Sequence, residues 1–341
     1  MNTVFLIGNG FDINLGLPTR YHQFYRYYVG QEVNDPPEVA KLKNHLREYL
    51  SGENQYWSDL EQAMGQYTEQ FPDRHVMESV YDDINDKMRT YLQSIDIAKY
   101  VAQADAEKLK ASLCQPDAAL PSLHRDRIGN YMAGRGSSNR ISIINFNYTD
   151  TIERIVEDIF GPMEIGKSNY KGIAFTSELR NIWHIHGTLA DPIMGVNDEN
   201  QIANANLRDI PEVKNYLLKT VINANLAHAE DRTCFELLGN AHLICIYGMS
   251  LGPTDALWWK RVASRALEGA KVIMYVHDPK NRNLPARKFE NYCREEKRKL
   301  ADASGIADAV RETFYSNIYL SQNDPLFDLK KPEGIKDKLR T

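Results

Sequence analysis

The stretch LIGNGFDINLGLPT, residues 6–19, constrains the fold of this 341-residue chain more than any other part of the sequence. It continues an apolar run, VFLI at residues 4–7, of the kind that forms a strand buried on both faces of a sheet. Gly8 and Gly10 then flank Asn9, so the strand ends in a loop that permits positive φ and close approach of another group. A buried strand, a glycine loop and a helix in this order indicate an α/β unit whose backbone N–H groups can bind phosphate.

The glycine loop matches no complete nucleotide-binding fingerprint. The dehydrogenase pattern G-x-G-x-x-G/A begins at Gly8 and Gly10 but fails at Ile13. A Walker loop is also excluded, because no Gly-Lys-Ser/Thr follows. On this loop alone, a tight turn and a nucleotide cradle are equally open. If the loop is a cradle, we expect a valine at Gly10 to block a ligand phosphate while the fold is retained.

Four further apolar runs predict more strands of the same sheet. Each is short and is followed by polar or glycine-containing turns, and segments with helical spacing lie between several of them, which indicates an α/β fold with a mostly parallel sheet. The predicted strands lie near residues 3–8, 141–146, 182–186, 242–248 and 271–277.

Two stretches with helical spacing and few strand signals are predicted to be insertions into this α/β fold. Residues 26–139 form a large helical insertion, and residues 197–236 form a second, mainly helical one. The α/β core then comprises residues 1–25, 140–196 and 237–341.

Composition restricts the partners and the cellular location. The net charge of −5 and the pI near 6.0 do not favour a nucleic-acid or membrane surface. No apolar run approaches the roughly 20 residues that span a bilayer, and the N-terminus does not read as a signal peptide, so we expect a cytoplasmic protein. The four cysteines form no C-x-x-C pair, and no metal is expected.

Polar motifs follow three of the later predicted strands directly. Because ligands of open α/β sheets bind outside the carboxyl ends of the strands, these motifs are expected to converge with the glycine loop at one edge of the sheet. The residues concerned are Asn147 in NFNYTD, His184 and His186 in HIHGTL, and Gly248, Ser250 and Asp255 in YGMSLGPTD.

In this order, the glycine loop, the asparagine, the His-Gly pair and the Gly-x-Ser motif are similar to those of the SIR2-like (sirtuin) fold. The motifs IGNGFD, GLPT, WSDLE, NFNYTD, HIHGTL and GMSLGPTD resemble the AbiH family of bacterial phage abortive-infection proteins more closely. This resemblance implies a Rossmann-like, SIR2-like core and an anti-phage protein that hydrolyses NAD to nicotinamide and ADP-ribose when an unknown phage trigger acts. A homo-oligomer is compatible with it. Thr149 stands where sirtuins carry an aspartate, and their zinc cysteines are missing, so protein deacetylation is not expected.

The resemblance also implies roles for individual residues. Asn147 would hold a ribose hydroxyl or a water, and His186 would be the hydrogen-bonding base beside the ribose. Backbone amides of the glycine loop would receive the pyrophosphate, Asp12 would orient a ribose, and Ser250 and Asp255 would lie near the adenosine half. The predicted ligand-binding residues are Gly8, Asn9, Gly10, Phe11, Asp12, Gly16, Gly248, Ser250 and Asp255.

Structural roles are open for several of these side chains. Asp12 is as suitable for capping the helix after the glycine loop as for catalysis, and Asn147 is a candidate cap for the helix near Thr149. Glu61 in WSDLE is favoured as the residue that completes a Ser58-x-x-Glu61 capping box, and its place in a family motif leaves a role in the site open. His184 is expected to be structural more often than functional.

Two other functions compete with NAD hydrolysis. The first is a non-enzymatic sensor that binds NAD or ADP-ribose. The second is a metal-dependent nuclease or phosphoesterase, although no H-x-E-x-x-H or D-x-D spacing is present. Its candidate ligands at strand ends are Asp12, His184, His186, Asp255 and Asp278.

Overall fold

The computed structural model describes residues 1–330 apart from 32–33, 53–58, 158–160, 226–229, 282–283 and 324–326. Within these residues, seven strands form one sheet, and helices make up most of the rest. The strands are β1 (Asn2–Ile7), β2 (Ser138–Asn145), β3 (Met163–Tyr170), β4 (Ile173–His184), β5 (Leu243–Tyr247), β6 (Lys271–Val276) and β7 (Ile318–Gln322).

The order of the strands in the sheet is β3-β4-β2-β1-β5-β6-β7. Every neighbouring pair is parallel except β3 and β4, which are antiparallel. The predicted α/β fold with a mostly parallel sheet is therefore confirmed. The apolar run at residues 4–7 forms the middle of the sheet, where Phe5 and Leu6 are completely buried.

The five predicted strands correspond to β1, β2, β4, β5 and β6, whereas β3 and β7 were not predicted. Both lie at the two edges of the sheet. The sequence of β3, MEIGKSNY, alternates poorly and contains Gly166 at an irregularity of its pairing, so it lacks the apolar signal of a buried strand. The strand β7 has only five residues.

Helices flank the sheet and make up most of the described residues of both predicted insertions. Among the described residues, no helix is long and apolar enough to cross a membrane. The helices are α1 (Gly10–Leu15), α2 (Tyr21–Gly30), α3 (Pro37–Leu50), α4 (Leu60–Tyr67), α5 (Arg74–Gln93), α6 (Ile97–Val101), α7 (Ala106–Cys114), α8 (Ser122–Ala133), α9 (Thr151–Val156), α10 (Ala205–Arg208), α11 (Pro211–Leu217), α12 (Lys219–Asn225), α13 (Glu230–Gly239), α14 (Ala256–Leu267), α15 (Ala286–Ala303) and α16 (Arg311–Tyr315).

Buried apolar side chains form three clusters. Two of them cover opposite faces of the sheet, one around Phe5 and one around Leu6. The third is separate from the sheet and joins residues of both helical stretches, such as Tyr28 and Leu60 with Val213 and Leu217. The two helical stretches thus share a core although residues 140–196 lie between them in the chain.

Candidate functional site

The glycine loop after β1 packs directly against the loop after β5. The amide of Gly8 donates to the carbonyl oxygen of Tyr247 (2.9 Å), and that of Gly10 donates to Gly248 (2.8 Å). A Cβ on Gly10 would lie 2.4 Å from the Cα of Gly248, whose own φ is +68°. The expectation that a valine at Gly10 leaves the fold intact is therefore wrong, because this side chain collides with the protein's own backbone.

The contacts of three other predicted loop residues account for the shape of the loop. The side chain of Asn9 donates to the carbonyl oxygen of Thr19 (2.8 Å). Phe11 is buried and packs edge-on against the ring of Tyr247, with 6.2 Å between the ring centroids. Gly16 ends α1 with a φ of +95°, a conformation that suits glycine.

Asp12 is a buried carboxyl group that joins α1 to the loop after β2. Its Oδ2 accepts a hydrogen bond from the hydroxyl of Thr149 (2.6 Å). Burial raises the pKa of Asp12 to about 6, while the hydroxyls of Thr149 and Thr151 oppose that rise. The proposed cap is wrong, because Asp12 lies inside the first turn of α1 and the cap position belongs to Asn9.

Asn147 connects the end of β2 to the glycine loop. Its side-chain amide donates to the carbonyl oxygen of Gly8 (3.2 Å), and its Oδ1 is buried without a hydrogen-bond partner among the described residues. It does not cap the next helix, since α9 has Asp150 at its cap position. Asn147 thus presents one free acceptor at the carboxyl end of the sheet.

His184 has a structural environment. Its Nδ1 lies 2.9 Å from the carbonyl oxygen of Asn147, and its Nε2 lies 2.6 Å from the carboxylate of Glu153. Burial lowers the pKa of His184, but the contacts with Glu153 and the Asn147 carbonyl outweigh burial and leave that pKa raised. Because both neighbours are acceptors, both ring nitrogens donate, and His184 holds the loop after β2 in place.

His186 is buried beside a lysine. Its Nε2 lies 3.1 Å from Nζ of Lys219, and its ring packs edge-on against Phe146 at 5.3 Å between centroids. Burial, followed by the charge of Lys219, lowers the pKa of His186 well below its ordinary value. Since an ammonium only donates, Nε2 is the acceptor and the imidazole is neutral.

Lys219 also forms a buried ion pair with Glu61. Nζ lies 2.7 Å from Oε2 of Glu61, and the two side chains are only 2% and 6% exposed. The hydroxyl of Tyr148 donates to the other carboxylate oxygen (3.3 Å). Burial raises the pKa of Glu61 to about 7 against the opposing charge of Lys219.

The capping-box interpretation of Glu61 is wrong. The side chain that caps α4 is that of Asp59, whose carboxylate accepts from the amide of Gln62 (3.1 Å). Ser58, the other member of the expected box, lies outside the described residues. Glu61 instead points into the protein, toward Lys219.

Asp255 completes what we call the polar cluster, which comprises Glu61, Tyr148, His186, Lys219 and Asp255. Its Oδ1 lies 3.7 Å from Nε2 of His186 and has no hydrogen-bond donor among the described residues. Burial raises the pKa of Asp255 to about 6, with Lys219 opposing and Asp59 adding to the rise. Ser250, predicted beside Asp255, is exposed on the same loop.

The polar cluster and the glycine loop both lie in a region that a family model matches. The model for bacteriophage abortive infection AbiH matches residues 4–277. The chain belongs to the AbiH family. The predicted family is confirmed, and membership supports a role in abortive-infection defence against phage. No curated protein matches this AbiH chain.

Sequence reasoning did not place three of the five residues of the polar cluster in the site of this AbiH protein. Lys219 lies in YLLKTVI, where a single lysine interrupts an apolar run, and that interruption was the available signal. Tyr148 and Glu61 were both within quoted family motifs, NFNYTD and WSDLE. Tyr148 had been given no role, and Glu61 had been favoured as a cap with a site role left open. Distance along the chain explains the omission, since 158 positions separate Lys219 from Glu61.

The candidate metal ligands are not gathered into one site. In the part of the chain that the structure describes, no group of three His, Cys, Asp or Glu residues is arranged to hold a metal ion. Asp12 contacts Thr149, and His184 contacts Glu153. Asp278 accepts from the side chain of Asn281 in a turn after β6.

Proposed function

We propose that this AbiH protein hydrolyses the bond between nicotinamide and ribose in NAD when phage infection triggers it. Several buried acceptors have no donor among the described residues, and two of them, Oδ1 of Asn147 and Oδ1 of Asp255, carry the proposal. Buried acceptors are normally satisfied, and each one left without a donor costs about 1–3 kcal/mol. Ribose hydroxyls and an attacking water are donors of the kind these atoms lack.

The order of the strands supports a nucleotide ligand. When the edge strand β3 is left out, the parallel strands, numbered in chain order, lie in the order 3-2-1-4-5-6. This is the order of doubly wound dinucleotide-binding sheets, in which the ligand lies at the carboxyl ends of the strands where the order reverses. In this protein the reversal falls between β1 and β5, where the glycine loop meets the loop of Gly248.

The acceptors suit the chemistry of hydrolysis. Breaking the bond to nicotinamide passes through an oxocarbenium-like state, after which a water adds to the ribose carbon and loses one proton. The products are nicotinamide, ADP-ribose and that proton. Asn147 Oδ1 is assigned to a ribose hydroxyl. Nε2 of His186 and Oδ1 of Asp255 are assigned to the water and its proton once nicotinamide has left.

The proposed position of the pyrophosphate differs from the one expected from the sequence. The amides of Gly8 and Gly10 donate within the protein, so we do not assign the pyrophosphate to them. Asp255 lies beside His186 and is therefore assigned to the nicotinamide end of the ligand rather than to the adenosine half. Exposed Ser250 remains our candidate for the outer part of the ligand.

Phage-infected cells test this function. We expect cells with the wild-type protein to lose NAD after infection and to limit phage, whereas Asn147→Ala abolishes both effects. Asn181→Ala is the matched control, because this asparagine has an exposed side chain within β4. Protection that persists in folded Asn147→Ala would refute the proposal, and NAD binding without NAD loss would favour the sensor.

A further inference from the structure

The polar cluster has more acidic groups than cationic ones. Glu61 and Asp255 both lie close to the single ammonium of Lys219, and Asp59 adds a third carboxylate that acts on both of them. Lys219 satisfies Oε2 of Glu61 at 2.7 Å and Nε2 of His186 at 3.1 Å. Lys219 thus contacts one carboxylate and one neutral imidazole, and neither contact provides a hydrogen-bond donor to Asp255.

Asp255 is a buried carboxyl group that lacks a hydrogen-bond donor among the described residues. It exposes only 9% of its surface, and its Oδ1 has no donor among the described residues although it lies 3.7 Å from Nε2 of His186. Taking a carboxylate out of water without a partner is costly, so such a group either takes up a proton or faces a ligand that is a donor or a cation. The raised pKa values of Glu61 and Asp255 have the same cause.

Aromatic rings pack around His186 in the polar cluster. The ring of Phe146 lies 5.3 Å and that of Tyr148 lies 6.4 Å from the ring of His186, measured between centroids. Trp258 packs edge-on against Phe146 at 5.5 Å. Carboxylates next to aromatic rings form the combination that attracts a flat organic cation, because the ring faces and the acids are both negative.

We infer that Glu61 and Asp255 form a recognition site for a flat cationic ring, and that the ammonium of Lys219 occupies this site in the resting protein. The inference rests on the proposed function, since the pyridinium of oxidised NAD is a ring of this kind and neutral nicotinamide is its product. Lys219 thus acts as an internal competitor of the substrate. A cation that displaces it also frees Nε2 of His186 to accept a proton.

Lys219 and Glu61 lie on different helices, so their contact depends on how α12 and α4 are placed. Lys219 is the first residue of α12, and its amide donates to the carbonyl oxygen of Val196 (3.0 Å). Glu61 lies in the first turn of α4. A trigger that separates α12 from α4 therefore withdraws the ammonium and opens the site to a cation.

Lys219→Met tests the inference, with 1-methylnicotinamide, a pyridinium cation, as the probe. We expect calorimetry to show that the variant binds this cation at least about tenfold more tightly than wild type, which corresponds to about 1.4 kcal/mol. Neutral nicotinamide is expected to gain nothing. Lys214→Met is the matched control, because Lys214 pairs with Glu199 at the surface. Equal affinities of folded Lys219→Met and wild type for the cation would overturn the inference.

A second measurement needs no variant, in case Lys219→Met does not fold. When wild-type protein is titrated with 1-methylnicotinamide, the NMR signals of the His186 ring should move, because Nε2 loses its contact with Lys219. Ring signals that stay unmoved up to the solubility limit of the cation would overturn the inference. Neither experiment involves bond cleavage. Cation binding without NAD loss refutes the proposed function alone, and NAD loss without preferential cation binding refutes this inference alone.

Discussion

The ion pair between Glu61 and Lys219 differs from a surface pair in its surroundings rather than in its length. The distance is 2.7 Å, close to the 2.6 Å between Lys214 and Glu199. The Lys214 and Glu199 side chains are 30% and 52% exposed, however, so water screens that pair. Inside the protein, the cost of desolvation is large and appears as a raised pKa of Glu61.

This residue-scale effect predicts how stability depends on pH. Burial raises the pKa of Glu61 from 4.5 to about 7, so the folded protein binds its proton more tightly than the unfolded chain does. The free energy of unfolding therefore falls as pH rises from about 4.5 to about 7, by up to about 3 kcal/mol from this group. The charged or titratable groups that act on Glu61 or belong to its cluster are Tyr21, Asp59, Tyr148, His186, Lys219 and Asp255.

Glu61→Gln removes this contribution, and urea unfolding at pH 5 and pH 8 measures it. We expect the loss of stability between these pH values to be smaller in Glu61→Gln than in wild type. His186 acts in the opposite direction, because its lowered pKa makes the fold more stable as pH rises toward 6.5, but it is present in both proteins. Glu199→Gln is the control and should keep the wild-type dependence. An unchanged dependence in Glu61→Gln would show that this carboxyl is not the titrating group.

At the scale of elements, the chain positions the site by joining the ends of β1, β2 and β5. Each of these strands was predictable from the sequence, because a short uninterrupted run of large apolar residues is typical of a strand buried on both faces. The contact between Gly10 and Gly248 was not readable, since these glycines come together only when β1 and β5 are neighbours in the sheet. The sequence likewise did not reveal that Asp59 caps α4 or that Glu61 pairs with Lys219, and the structure shows both contacts.

The junction of the two loops is predicted to be intolerant of a single methyl group. In Gly10→Ala, the Cβ would lie 2.4 Å from the Cα of Gly248, so one loop must move. We expect the free energy of unfolding to fall by at least about 1–3 kcal/mol, as in overpacked cores, and the melting temperature to fall with it. Gly30→Ala is the control, because Gly30 lies at the end of α2 and no described residue lies within 4 Å of a new Cβ there. Equal melting temperatures of the two variants would contradict this account of the loop.

At the scale of the whole molecule, the polar cluster is where three parts of the chain meet. Glu61 comes from the first helical stretch, Lys219 from the second, and His186 from the loop after β4. The sequence predicted that both stretches are helical, because helical periodicity is a local property. Their shared core was not predictable, since contacts between distant segments depend on the complete fold. Membership of the AbiH family supports a role in abortive-infection defence against phage.

The most direct test of the central claim follows the oxygen atom of water. Protein purified from phage-infected cells is incubated with NAD and a chelator in ¹⁸O-labelled water, and the products are analysed by mass spectrometry. We predict equal amounts of nicotinamide and ADP-ribose, with one ¹⁸O in the ADP-ribose. Asn147→Ala and His186→Ala should each reduce the rate about 10²–10⁴-fold, and the double variant should be little worse, because residues acting as a unit are not additive. Intact NAD after incubation with protein that still protects cells would contradict the claim.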